Sequence, residues 1–313
     1  MIIQNPDRND EYVVRLKNRN LLALDLAESI IDNCLKSSIF SFPDNVCIYV
    51  TGSDGRLEKS CLSAIELILC NNGDRSVIEM LKSELERQLS DYSACFSANI
   101  ETKNLLEDNL ILYTNNPLAC YPTRVLDNFF MYGNESILEE LYSKFIKDLK
   151  SNGSGKILRE RFGARKNNHR SFLKREDERI FDIKKGILYY DGQNRDISST
   201  KCSHLRTVQY AFALDFCRLL RDCDISDGYR LLKDLPNNIP DRIDWCTQNS
   251  MTSLTVDEAN SLKDAYILSL FWYNQSEIAF LQGKKAIYVD KRSLKQATKT
   301  IVDFATKDKI FNY

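Results

Sequence analysis

The stretch VTGSDGRLEKSCLSAIELIL, residues 50–69, decides the predicted fold. It starts at the end of a β-rich run, NVCIYV (45–50), and leads into a second one, AIELILC (64–70). Between the two runs lie Gly52 and Gly55, and glycines at this place are typical of a tight turn after a strand. The pattern therefore predicts two strands that are joined through a glycine turn.

The residues around this stretch extend the same small sheet. The segment CFSANIETKNL (95–105) alternates like a third strand, and LILY (110–113) is a candidate fourth. Apolar residues recur at helical spacing over 12–36 and over SVIEMLKSELERQL (76–89), so each of these segments is predicted to be a helix. Residues 1–118 are therefore expected to form a small mixed sheet that is flanked by helices.

From Pro122 onward the β signal nearly disappears and helical periods dominate. The chain is therefore predicted to belong to the α+β class, with a small mixed β-sheet domain at 1–118 and a mainly helical domain at 119–313. The predicted helices are 123–133 (TRVLDNFFMYG), 135–150, 155–175, 205–222 and two further ones at 257–283 and 292–307, with a hairpin or long loop at 181–199.

Composition and charge exclude several classes of function. The 313 residues include 43 Lys and Arg against 44 Asp and Glu, so the whole chain does not attract nucleic acid or an anionic membrane, and only a local patch could. Two histidines leave little from which to build a zinc site or a Ser-His-Asp triad, and the ten scattered cysteines are expected to be reduced core thiols. No apolar run approaches the roughly 20 residues that span a bilayer. We therefore expect no membrane partner and a cytoplasmic protein, with delivery into a host cell as a second option.

The residues of the glycine turn suit the chemistry of a nucleoside triphosphate. Backbone N–H groups at Gly52 can hold phosphate oxygens, the Ser53 hydroxyl adds a donor, and Arg56 can neutralise negative charge. Carboxylates on neighbouring strands can hold magnesium or manganese ions, and Glu66 with Glu101 on the third strand are the candidates. Positions 64 and 66 point to the same face of a strand, because side chains alternate along it.

With these residues in order, the segment resembles the nucleotidyltransferase superfamily of DNA polymerase β type. It is most similar to the bacterial uridylyltransferase that modifies a nitrogen-signalling protein and to its nucleotidyltransferase relatives. Their motif reads approximately G-S-x-G-R-x-E, four residues, then S-D-I-D-L, and this chain has GSDGRLE, KSCL, SAIEL. The matching positions are Gly52, Ser53, Gly55, Arg56, Glu58, Ser63, Ile65 and Leu67, with Glu66 as a conservative acid.

A second segment extends the resemblance into the helical half. SHLRTVQ (203–209) resembles the G-G-L-R-D-I-Q segment of that enzyme group, with Leu205, Arg206 and Gln209 matching. The resemblance implies a nucleotidyltransferase-like domain at 1–118 and a helical domain that closes over the nucleotide. It also implies a magnesium-dependent transfer of a nucleoside monophosphate from a triphosphate to an acceptor.

The resemblance favours a protein side chain as the acceptor, with tRNA as the alternative. The basic run from Lys156 to Arg175 would serve either the triphosphate or a polyanion, and it includes Arg161 and Arg165. Lys201 and Arg206 would lie near the nucleotide. For the basic run the competing interpretation is a solvated helix face, and for Lys201 and Arg206 it is an ordinary helix start.

Ala64 is the main difference between this chain and the family motif, because it stands where the family has its first metal-binding aspartate. An alanine cannot coordinate a metal ion, so metal binding and catalysis are expected to be impaired. The alanine is either a natural loss or a substitution introduced on purpose, and retention of Ser53, Arg56, Glu66 and Glu101 favours the second. The rival functions are a natural pseudoenzyme that binds a nucleotide or a partner protein, and a helical interaction protein in which the turn is accidental.

Overall fold

The computed structural model describes residues 2, 4–6, 9–38, 41–60, 64–93, 96–111, 121–175, 181–189, 204–307 and 310–311. Over these residues the protein is a mixed α+β structure, as predicted. A four-stranded sheet is built by the first half of the chain, and the second half is mainly helical. Within the same ranges, every helix is too short or too polar to cross a membrane.

The sheet is mixed and has the strand order β3-β2-β1-β4. Its strands are β1 (Val46–Val50), β2 (Ile65–Asn71), β3 (Ala98–Asn104) and β4 (Phe129–Gly133). β1 runs antiparallel to both β2 and β4, whereas β2 and β3 are parallel. The helix α3 (Arg75–Leu89) makes the crossover that a parallel pair requires. The first three strands were predicted correctly.

The two faces of the sheet belong to different hydrophobic cores. On one face, Val46, Ile48 and Leu67 pack with α3 and with α1 (Asn9–Ser37), whose inner side is formed by residues such as Ile31. On the other face, Cys47, Tyr49, Ile68 and Cys70 join the core of the helical half. Because side chains alternate along a strand, fully apolar strands such as VCIYV supply both cores at once.

The remaining elements form the helical half and a small second sheet. The short helix α2 (Gly52–Gly55) follows β1. The second sheet has three strands, β5 (Phe181–Asp182), β6 (Ile187–Tyr189) and β7 (Ala286–Tyr288), in the order β5-β6-β7. The other elements are α4 (Tyr121–Leu126), α5 (Glu135–Lys150), α6 (Ser154–Ile157), a π-helical turn (Leu158–Gly163), α7 (Ala164–Arg175), β5 (Phe181–Asp182), β6 (Ile187–Tyr189), α8 (Arg206–Asp222), α9 (Ile225–Asp234), α10 (Ile239–Gln248), α11 (Val256–Leu281), β7 (Ala286–Tyr288), α12 (Lys291–Thr306) and a short 3-10 helix (Ser90–Tyr92).

The predicted helix over TRVLDNFFMYG (123–133) is wrong in its second half. The helix α4 ends at Leu126, and residues 129–133 form β4, which pairs with β1. The run FFMY is rich in β-favouring aromatic residues, and it pairs with β1 along the edge that β2 does not occupy. The sheet therefore continues beyond the domain boundary that was placed at residue 118.

Other differences lie at short elements. The sequence pattern predicts two helices after residue 222, whereas the structure has α9, α10, α11 and α12 there. β5 and β6 form the beginning of the predicted hairpin, and β7 adds a strand that was not predicted. Leu110 and Ile111 are not in a strand, and the rest of the LILY segment lies outside the described residues.

Candidate functional site

The glycine turn is held in place by close contacts at both glycines. Gly52 has a φ of +65°, and a Cβ atom there would lie 2.4 Å from Glu66 Oε2. A Cβ atom on Gly55 would lie 1.6 Å from the carbonyl oxygen of Asp127, which is a backbone atom. Both positions therefore require glycine, and Gly52 brings the backbone of the turn directly against a carboxylate that was predicted to hold metal.

Glu66 and Glu101 come together on one face of the sheet. Glu66 and Ile68 lie two residues apart on β2 and therefore share a face, and Ile68 is the register partner of Glu101 on β3. The guanidinium of Arg124 joins them, because Nη1 donates to Glu66 Oε2 and Nη2 donates to Glu101 Oε1, each at 2.7 Å. Arg124 was not predicted as a site residue. Two carboxylates and one guanidinium leave this cluster with one negative charge.

The position of Arg124 depends on the glycine turn. Arg124 lies on α4, and its carbonyl oxygen accepts a hydrogen bond of 3.0 Å from Thr51 Oγ1. Thr51 is fully buried and immediately precedes α2. The turn therefore orients the basic residue that pairs with both carboxylates.

The acidic pair offers oxygen ligands but not a full metal-binding set. Glu101 Oε2 is buried and has no hydrogen-bond partner within the described residues. Ala64 comes directly before β2 and contributes no ligand. In the described ranges, no group of three or more His, Cys, Asp or Glu side chains is placed to hold a metal ion.

A second ion pair lies at the turn and was also missed from the sequence. Asp54 is buried, and its Oδ1 is 3.0 Å from Lys59 Nζ. Burial raises the pKa of Asp54 and lowers the pKa of Lys59, while each partner opposes the shift of the other. The charge of Glu66 acts to raise the pKa of both Asp54 and Lys59, so Lys59 is a second cation within electrostatic reach of the acidic pair.

Arg56 is engaged in a buried network. Its Nε lies 2.9 Å from Glu58 Oε2, and its Nη1 contacts Asp127. Asp127 also accepts from Arg242 Nη1 at 2.7 Å, so one carboxylate serves two arginines. Burial lowers the pKa of Arg56, but the charges of Asp127 and Glu58 prevail and raise it overall. The network links the glycine turn to α10.

The two segments that carry the resemblance meet at Tyr266. Its hydroxyl donates to Glu58 Oε2 at 2.7 Å and accepts from Gln209 Nε2 at 2.8 Å. Glu58 belongs to GSDGRLE and Gln209 belongs to SHLRTVQ. Although about 150 residues separate these segments along the chain, one buried side chain on α11 connects them.

The other predicted residues are placed less completely. Ser53 lies half-buried in α2, and Arg206 is the first residue of α8, one turn before Gln209. Lys201 lies outside the described residues, as do the side chains of Arg161 and Arg165, whose backbones lie in the π-helical turn and in α7. The six cysteines within the described ranges form no disulfide, and five of them are buried.

Comparisons with known proteins do not assign the chain to a family. No protein-family model matches it, and no curated protein matches it. The functional argument therefore depends on the turn, the acidic pair and Arg124.

Proposed function

We propose that the chain binds a nucleoside triphosphate at the glycine turn and the acidic pair, and that it acts as a magnesium-dependent nucleotidyltransferase. The observation that carries the proposal is the convergence of Glu66 and Glu101 beside Gly52, with both carboxylates on one guanidinium at 2.7 Å. A glycine turn next to paired carboxylates suits a phosphate chain that arrives with a cation. The resemblance of GSDGRLE to the nucleotidyltransferases adds to this argument.

The residues at the acidic pair fit one hard cation. Their donors are all oxygens, which magnesium and manganese prefer, and Glu101 Oε2 is a buried acceptor without a partner in the described ranges. Magnesium in nucleotide sites is often held by one or two protein carboxylates, with substrate phosphates supplying further ligands. Glu66 and Glu101 would hold the ion, and at Ala64 water or phosphate would replace the missing carboxylate.

Arg124 would respond to the presence of such an ion. In its absence the guanidinium pairs with both carboxylates, and a cation that binds there competes with it for the same two side chains. Once displaced, an arginine at this position can pair with phosphate oxygens, for which its planar fork is well suited.

The reaction would move a nucleoside monophosphate to an acceptor hydroxyl, with pyrophosphate as the leaving group. The α-phosphorus gains a bond to the acceptor oxygen and loses its bond to the bridging oxygen, which leaves with the pyrophosphate, while the hydroxyl proton passes to a carboxylate or to water. By resemblance, the proposed acceptor is a protein side chain, and tRNA is the alternative. The missing carboxylate at position 64 would slow this transfer.

Binding without turnover is the second candidate. It is favoured by the combination of Ala64 with Arg124, since a guanidinium already pairs with both carboxylates that a complete site would give to metal. In that case the chain would be a pseudoenzyme that senses a nucleotide.

Thermal unfolding with ATP, UTP, GTP and CTP, each with and without magnesium, tests the binding proposal. A bound ligand at a hundred times its Kd stabilises the native state by about 2.7 kcal/mol. We expect stabilisation by at least one nucleotide with magnesium, and its loss in Glu66→Gln and Glu101→Gln. Glu86→Gln, on the exposed side of α3, is the matched control. If none of the four nucleotides stabilises the native protein, the proposal is wrong.

Two further variants test the competition between metal and Arg124 and separate the enzyme from the pseudoenzyme. Arg124→Gln removes the competing guanidinium, so we expect the affinity for manganese, measured by electron paramagnetic resonance, to rise about ten-fold. Ala64→Asp restores the third carboxylate and is tested with labelled triphosphates. Transfer of the label to protein or RNA in a lysate supports the enzyme, whereas tighter nucleotide binding without transfer supports the pseudoenzyme.

A further inference from the structure

The first half of α12 carries an exposed row of basic side chains. Lys291, Arg292, Lys295 and Lys299 are all exposed, and together they are called the α12 basic face. The opposite side of the helix is buried through Leu294, Ala297, Thr298 and Ile301. Four-residue spacing on a helix advances about 6 Å, so Lys291, Lys295 and Lys299 form a regular row.

Folding by itself does not account for this row. Cations in the first turns of a helix oppose its macrodipole, and like charges four residues apart repel each other. Several other helical cations have acidic partners, as in Lys144 with Asp148 and Arg87 with Glu84. Within the described part of the chain, the basic face makes no ion pair of this kind. An arrangement that costs helix stability points to an external anion.

Neighbouring segments enlarge the positive region. The turn at 182–186 packs on the start of α12, where Val289 N donates to Gly186 O at 2.8 Å, and it carries Lys184 and Lys185. Lys284 and Lys285 are exposed directly before β7. Residues 182–186 and 284–299 together contain eight basic and two acidic residues, in a chain whose net charge is -1. The positive charge is therefore concentrated here and does not reflect the overall composition.

The shape and chemistry of the region indicate the kind of anion. The basic face borders an open groove of about 480 Å³, which is also lined by Gln296 and by Asp290. The Asp290 carboxylate accepts hydrogen bonds from Ser293 N and Ser293 Oγ at the start of α12. None of its lining residues is apolar, whereas proteins that lie on membranes place apolar side chains beside their cations. Tyr288, 46% exposed, lies three residues before Lys291 and offers a ring on which a base can stack.

We infer that the α12 basic face and its groove bind the phosphodiester backbone of a single-stranded nucleic acid, with Tyr288 stacking on one base. The row of lysines contacts successive phosphates, and this contact is independent of base sequence. The inference goes beyond the proposed function and does not depend on nucleotide binding at the acidic pair. Its test is therefore made without any nucleoside triphosphate.

Fluorescence anisotropy with labelled single-stranded RNA and DNA of about 20 nucleotides, longer than typical single-strand sites, measures the binding. For four phosphate contacts we expect log K to fall with log salt with a slope of about −3. The triple variant Lys291→Gln, Lys295→Gln, Lys299→Gln should lose about two units of slope and at least about ten-fold in affinity. Tyr288→Ala should weaken binding about ten-fold and leave the slope unchanged.

The matched control removes the same number of positive charges elsewhere. Arg15→Gln, Lys36→Gln and Lys147→Gln change exposed residues of α1 and α5. An unchanged affinity in this control supports the inference, whereas an equal loss in both triple variants would mean that net charge alone determines binding. The inference is also overturned if neither nucleic acid binds, or if phosphatidylserine vesicles bind through the same lysines and the nucleic acids do not.

Discussion

Gly52 and Gly55 place the backbone of the turn where no side chain would fit. Gly52 lies under the Glu66 carboxylate in a left-handed conformation, and Gly55 lies against the carbonyl of Asp127. The two glycines have different neighbours, since Glu66 Oε2 is the end of a side chain that can move and the carbonyl of Asp127 is fixed in the backbone. Replacing Gly52 and replacing Gly55 by alanine should therefore lower the free energy of unfolding by different amounts.

We predict that Gly55→Ala destabilises the protein by about 3 kcal/mol or more, because the backbone at Asp127 would have to shift. Gly52→Ala should cost about 1–2 kcal/mol, mainly from its positive φ. Denaturant unfolding measures both changes. Gly163→Ala is the control, since its Cβ would meet nothing within 4 Å, and it should stay within about 1 kcal/mol of the wild type. Equal losses for Gly55→Ala and Gly163→Ala would contradict this account.

At the residue scale, the sequence predicts the acidic pair but not its counter-ion. Glu66 and Glu101 lie on strands whose alternation is visible in the sequence, so their common face follows from the pairing of β2 with β3. Arg124 lies in a segment that the sequence assigned to a helical domain, and only the docking of α4 on the turn brings it to the carboxylates. A single basic residue in a short helix carries no local signal of that contact.

At the scale of elements, the buried network around Asp127 joins the sheet to the helices. Asp127 follows α4, Arg56 follows α2, and Arg242 lies on α10 with only 2% of its side chain exposed. Arg242 also donates to the carbonyls of Pro236 and Leu126. Because two buried arginines share one carboxylate, each element holds the others in position.

We predict that Asp127→Ala costs about 3–5 kcal/mol, since it leaves two buried guanidinium groups without their shared carboxylate. Denaturant unfolding gives the change directly. Asp222→Ala, which removes an exposed partner of Arg221, is the matched control and should cost about 1 kcal/mol or less. A small loss for Asp127→Ala would mean that Glu58 and the backbone carbonyls compensate for the missing charge.

At the scale of the whole molecule, His204 ties the stability of the helical core to pH. It is fully buried, and its Nε2 lies 2.9 Å from Thr298 Oγ1, which connects the start of α8 with α12. Burial lowers its pKa from 6.5 to about 3, so the folded protein keeps the imidazole neutral. The unfolded chain binds a proton below pH 6.5, and stability is therefore lost as the pH falls from there toward 3.

We predict that this histidine lowers the free energy of unfolding by about 2 kcal/mol between pH 7 and pH 5. His204→Gln removes the titrating group, so its stability should fall less than that of the wild type over this interval. Urea unfolding at several pH values measures both curves. Above neutral pH, the curves of unfolding free energy against pH should be parallel for the wild type and His204→Gln. If the two curves are also parallel across the acidic range, His204 is not buried in its neutral form.

The sequence by itself determined the features that depend on near neighbours: the helical periods, the first three strands and the glycine turn between β1 and β2. Each has a pattern of hydrophobic residues or glycines within a short window, and the pattern limits the local backbone to few conformations. Tertiary structure alone decided the pairing of β4 with β1, the placement of Arg124 on the acidic pair and the contact of Glu58 and Gln209 with Tyr266. These contacts join residues far apart in the chain, and their energy comes from burial and charge pairing that exist only after the elements have packed together.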